Sequence, residues 1–129
     1  MADRASAWGA GTVAGLLAMT PATAQTVQPI SVSMTECHVL LGLVAENASG
    51  RRTPDEVADM QRWSDAFGLA AVDQAKAEGR SDPTDHVLRT RDEVEPKWER
   101  QVRNPLKLSD TLDWTGYCRA LGRDRGVLR

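Results

Sequence analysis

The side chains in this chain best suited to chemistry are two thiols and two imidazoles: Cys37, Cys118, His38 and His86. Their spacing argues against most of what such groups can do. A redox dithiol or a haem attachment site needs its cysteines two residues apart, whereas these lie at opposite ends of the chain. A two-cysteine, two-histidine zinc site would have to use Cys37 and His38 as neighbours. On a helix those two point about 100° apart, and the ligand spacing of known zinc motifs is missing. Neither histidine lies near a nucleophile elbow of the G-x-S-x-G kind, so serine–histidine–acid catalysis has no local support. The acids cluster at Asp55, Glu56 and Asp59 and again at Asp92, Glu93 and Glu95. Helix starts and ion-paired helix faces account for both groups without a sugar-cleaving carboxylate pair. His38 and His86 are expected at a surface or rim. No catalytic residue, metal ligand or cofactor-binding residue is assigned, and an enzyme is the less favoured reading.

The thiols have a simpler use. Arg4 begins a short positive region, Ala5 to Met19 is uncharged and mostly apolar, Pro21 breaks the helix, and Ala22-Thr23-Ala24 has the small-x-small pattern of a cleavage site. Residues 1–24 are therefore expected to be a signal peptide, too short for a confident membrane anchor. Residues 25–129 form one domain, placed in the periplasm or outside the cell. In an oxidising space a single pair of cysteines forms a disulfide. A Cys37–Cys118 bond would close a loop of about 80 residues, worth roughly 4.5 kcal/mol in the chain-entropy model. Asn47-Ala48-Ser49 fits a glycosylation acceptor, relevant only in a eukaryotic secretory route.

The elements that must carry these cysteines read as helices. Residues 25–32 form an extended leader. Ser33-x-x-Glu36 then has the form of a capping box, and Cys37, Leu40, Leu41 and Val44 make one apolar stripe. Thr53-Pro54-Asp55-Glu56 opens a second helix with Val57, Met60, Trp63, Phe67, Ala70 and Ala71 facing inward, and Gly79 ends it. Ser81-Asp82-Pro83 opens a third, with Val87, Val94, Trp98 and Val102 at helical spacing and a kink or break expected at Pro96. Ser109 or Asp110 caps a fourth, carrying Trp114, Tyr117, Cys118 and Leu121 and stopping at Gly122, after which residues 123–129 fray. The expected fold is all-α: a small four-helix bundle-like domain whose disulfide joins the first and last helices. Trp63, Trp98 and Trp114 are its expected core fillers.

Charge supplies the remaining signal. The net charge is -2, but Glu36 to Glu95 holds seven bases against 13 acids, and Lys97 to Arg129 holds eight bases against four. Arg119, Arg123, Arg125 and Arg129 gather at the end of the last helix as a candidate partner-facing basic patch. Nucleic acid is not an expected partner, because the chain is mildly acidic and no stacking aromatics interleave with these arginines. The reading is an exported helical binding or accessory protein that acts through a protein–protein surface on an unidentified protein partner. One alternative is a small-ligand binder or small enzyme with an inter-helix pocket lined by the tryptophans. Another is a membrane-tethered subunit that keeps its N-terminal segment, the one case in which membrane contact is expected.

Overall fold

The computed structural model describes residues 27–48 and 50–128. The expected signal peptide 1–24, Ser49 and Arg129 lie outside the described residues. Four helices follow one another: α1 (Ile30–Glu46), α2 (Pro54–Ala77), α3 (Pro83–Arg103) and α4 (Leu108–Asp124), with a 3-10 turn at Pro105–Lys107. The described residues contain no strand. Cys37 on α1 and Cys118 on α4 are joined by a disulfide, their Cα atoms 5.5 Å apart.

α1 is the axis of the molecule. Besides the expected stripe, Ser31, Ser33, Thr35, Glu36 and Val39 are buried, so this helix is covered nearly all round. α2 and α3 wrap it closely, and α4 lies more lightly against α1 and α3. α1 and α2 approach where small residues allow it. A Cβ on Gly42 would come within 3.1 Å of Ser64 Oγ, and one on Gly68 within 3.0 Å of the His38 ring. Phe67, Ala71, Ala75, Val87 and Trp98 close the core around α1. Trp98 is 2% exposed, whereas Trp63 and Trp114 are only partly buried, so one of the three expected fillers sits in the core proper.

α2 begins as expected. Thr53 Oγ1 accepts from the Glu56 N–H and the Glu56 carboxylate accepts from the Thr53 N–H, a complete capping box with Pro54 in the first turn. α3 starts on Asp82, whose side chain accepts from the Asp85 N–H. It then runs unbroken through Pro96 rather than splitting in two. Pro96 lacks an N–H for the Asp92 carbonyl, but both residues are exposed and water can satisfy that oxygen.

The expected start of α1 is corrected by the structure. The helix begins at Ile30, so residues 30–32 are helical and do not belong to an extended leader. Ser33 and Glu36 form no capping box, because both are buried inside the bundle. The N-terminus of α1 is capped instead from a distance. Glu78, just past α2, accepts from the Ser31 N–H at 3.0 Å and from the Ser31 hydroxyl at 2.6 Å. The end of α4 is a second correction. Gly122 is interior to the helix, which stops at Asp124, and Gly126 takes the left-handed conformation at φ 72°. Val127 N–H donates to the Gly122 carbonyl and Gly126 N–H to that of Arg123, the two bonds of a Schellman turn. The turn folds Val127 and Leu128 back onto the core, so these residues are packed rather than frayed. α4 itself starts at Leu108, one or two residues ahead of the expected caps, without a side-chain cap. Asp110 accepts instead from the Gln101 amide.

Candidate functional site: a groove between the second and fourth helices

The residues marked out by their chemistry are mostly tied into the fold. Cys37 and Cys118 are fully buried in their disulfide. His38 is half-buried on α1, where its Nδ1–H donates to the Ser64 carbonyl at 2.8 Å. Ser64 Oγ returns a bond to the His38 carbonyl at 2.7 Å. The pair fastens α1 to α2 at their closest approach. His86, in the first turn of α3, lies 3.1 Å from Ser31 Oγ. A serine, a histidine and an acid thus meet, but in an order unsuited to nucleophilic attack. The single Ser31 hydroxyl proton goes to Glu78, so His86 Nε2 must donate to Ser31 rather than accept from it. Ser31 is also 0% exposed, leaving no approach for an electrophile. The group ties α1, α2 and α3 together at one end of the bundle.

Glu36 ties α1 to α3 farther along. It is 5% exposed, and its carboxylate accepts from Trp98 Nε1 at 2.9 Å, Lys97 Nζ at 2.6 Å and Gln28 Nε2 at 3.0 Å. Burial by itself would raise the Glu36 pKa. The bonds from Lys97, Gln28 and Trp98 outweigh it and hold the carboxyl below its ordinary range. Glu78 is likewise held low, with desolvation opposed by its bonds from Ser31 and Gln74. Among the described residues, no cluster of three or more histidines, cysteines and acids could hold a metal ion. Asn47 uses its side-chain amide to bind the Leu43 carbonyl at the end of α1.

The surface feature the fold builds with spare chemistry is elsewhere. α4 comes close to α2 where Gly122 sits against Phe67, and the two helices otherwise touch little. Between them, over Leu41 of α1, runs a groove of about 310 Å³. Arg119 and Arg123 stand on its α4 wall, Trp63, Glu56 and Asp59 on its α2 wall, and Arg52 reaches it from the α1–α2 loop. The Arg119 guanidinium carbon lies 5.5 Å from the centroid of the Trp63 ring. The groove continues into a second section of about 350 Å³, sharing Arg52, Glu56 and Thr115 with the first. This section is more apolar and is lined by Val44, Val102, Leu108 and Leu112. Thr111 lies in its wall, with a buried hydroxyl that has no hydrogen-bond partner.

The four arginines of the basic patch therefore divide. Arg119 and Arg123, one turn apart on α4, share the groove. Arg125 pairs with Asp124 at 3.8 Å and borders a different hollow beside Met34 and Asp73. Arg129 lies outside the described residues. Of the residues lining the groove, the sequence marks Arg119 and Arg123 as site residues and places Trp63 in the core and, under the small-ligand reading, in a pocket wall. Arg52, in the α1–α2 loop, carries no such mark. The apolar helical register of Trp63 is correct, but the ring is only partly buried. Comparison of the chain with protein-family models, with curated proteins and with solved structures finds no match in any of the three.

Proposed function

We propose that this is an exported helical accessory protein that works by binding another protein through the groove between α2 and α4. The observation that carries this reading is the groove itself. It combines a stacked arginine, two further arginines and an apolar section ending in leucines that are 52% and 48% exposed, at Leu108 and Leu112. Arginines with aromatic and aliphatic neighbours are characteristic of protein interfaces. The supports for export are the N-terminal sequence pattern and a disulfide, which persists in oxidising compartments. Among the described residues, no helix is long and apolar enough to cross a membrane.

The test is recovery of a partner from the native envelope fraction, with the wild-type chain and a Thr115→Trp variant as parallel baits. Thr115 is common to both sections of the groove, so an indole there would fill it without touching the disulfide. The expected result is one stoichiometric partner on the wild-type bait and its loss from the variant, with helicity unchanged. Equal recovery on both baits, or no partner on either, would overturn the proposal.

A further inference from the structure

We infer that the occupant of this groove is an acidic amphipathic helix of the partner protein. Its carboxylates would meet Arg119 and Arg123, and its apolar residues would rest on Leu108 and Leu112. The inference builds on the groove as a protein interface and names what that interface recognises. The charges within the groove are unevenly used. Glu56 is engaged by the Thr53 N–H and Asp59 by Arg62, so both acids already have partners. Arg52, Arg119 and Arg123 make no ion pair with any described residue. Arg52 still acts on Glu56 through its charge, so the cations left without an acid are Arg119 and Arg123. The Arg119 guanidinium lies over the Trp63 ring, and its N–H groups can donate to a planar carboxylate in bidentate fashion.

The spacing suits a helical acidic partner. Arg119 and Arg123 are four residues apart on α4, about 6 Å along its axis, which is also the rise between acids four residues apart on a second helix. From Leu108 to Arg123 the α4 wall extends about 22 Å, or roughly four turns of an adjoining helix. Such a helix would lie between α2 and α4, adding cover to Val44 of α1, which is only partly buried. A polyanionic nucleic acid fits less well, because Glu56 and Asp59 share the groove and Arg119 already lies against Trp63. A lipid surface fits less well because the guanidiniums flank a groove instead of crowning a convex face.

The probe is a fluorescein-labelled helical peptide with glutamates four residues apart at one end and leucines two turns away. Binding to the full-length oxidised protein is followed by anisotropy and by the arginine and tryptophan side-chain resonances. The expected result is saturable binding below about 1 mM, with Trp63 and Arg119 resonances shifting together. Replacing the glutamates by glutamine should weaken it roughly tenfold or more. The Arg119→Glu/Arg123→Glu double variant should lose the acidic peptide and gain the same peptide with lysines in place of glutamates. That rescue cannot come from misfolding. No saturable shift with the acidic peptide overturns the inference, as does equal binding of the glutamine peptide. Stronger response to inorganic phosphate or to anionic phospholipid vesicles than to the peptide also overturns it. Capture of a partner that Thr115→Trp abolishes but the double charge reversal leaves intact would overturn this inference alone, while the groove remained the interface.

Discussion

Replacing Cys37 and Cys118 together by alanine removes the bond without placing an unpaired polar group at positions that are 0% exposed. The two cysteines are 81 residues apart, and the chain-entropy relation puts the closure of such a loop at about 4.5 kcal/mol. What α4 could hold by itself is small. Its buried residues are Thr111, Cys118 and Gly122, and Trp114 and Leu121 are only half covered. Two consequences follow. Global stability should fall by about 3–5 kcal/mol, a loss of roughly 15–30 °C in Tm for a domain of this size. The loss should also be uneven, because α1, α2 and α3 retain the Glu36 and Glu78 networks and most of the core. Amide hydrogen exchange on the variant should show α4 losing protection by a larger factor than the helices it leaves behind. Chemical denaturation followed by circular dichroism supplies the stability difference. A loss below about 1 kcal/mol with α4 amides still protected would refute the claim that this helix depends on its covalent tie.

Three further perturbations probe the internal fastenings. Glu36→Gln keeps an acceptor for Trp98 but removes the charge that faces Lys97, and should cost about 1–2 kcal/mol at neutral pH in denaturant titrations. The wild-type contribution has a defined pH sign. Because the folded pKa of Glu36 lies below its ordinary value of 4.5, the stabilisation is complete above that value. It is lost as pH falls through the folded pKa. The Tm of Glu36→Gln should therefore change less than that of wild type between neutral pH and about pH 3. Glu78→Ala should unfasten the first turn of α1 from Ser31, costing about 1–2 kcal/mol and raising exchange at the Ser31 amide before that of the helix centre. Gly122→Ala should displace the folded-back tail, since the new methyl would lie 2.5 Å from Leu128 Cγ and 3.0 Å from Phe67 Cζ. A loss of about 1–3 kcal/mol is expected, with the Leu128 methyl resonances moving most.

Local signals in the sequence were reliable where the partner was local. Thr53-Pro54-Asp55-Glu56 caps α2 because the atoms that satisfy its first N–H groups lie within four residues. The same Ser/Thr-x-x-Glu spacing at Ser33 misleads, because Glu36 is drawn into the bundle by Lys97 and Trp98, donors from another helix. Glu78 as the cap of α1 is equally invisible, since nothing near Ser31 in the chain points to it. The disulfide was legible because two cysteines permit one pairing. The polarity of the tail misleads: its three arginines outweigh Val127 and Leu128 by count, yet Gly126 turns the apolar pair inward. Of the groove, the sequence indicated Arg119 and Arg123 through their place on α4. It gave no indication of Arg52 or of the stacking on Trp63, which depend on how far α4 stands from α2.

The claim on which the functional account rests is that the groove between α2 and α4 receives a partner protein. A photo-crosslinking amino acid at position 115, in the protein expressed in its native compartment, addresses that claim at the surface concerned. A matched probe at Asp92, exposed on α3, serves as the control. One dominant crosslinked product is expected from position 115, absent from position 92 and lost when Arg119 and Arg123 are both changed to glutamate. Crosslinking of equal yield and composition from both positions, or none from position 115, would contradict it.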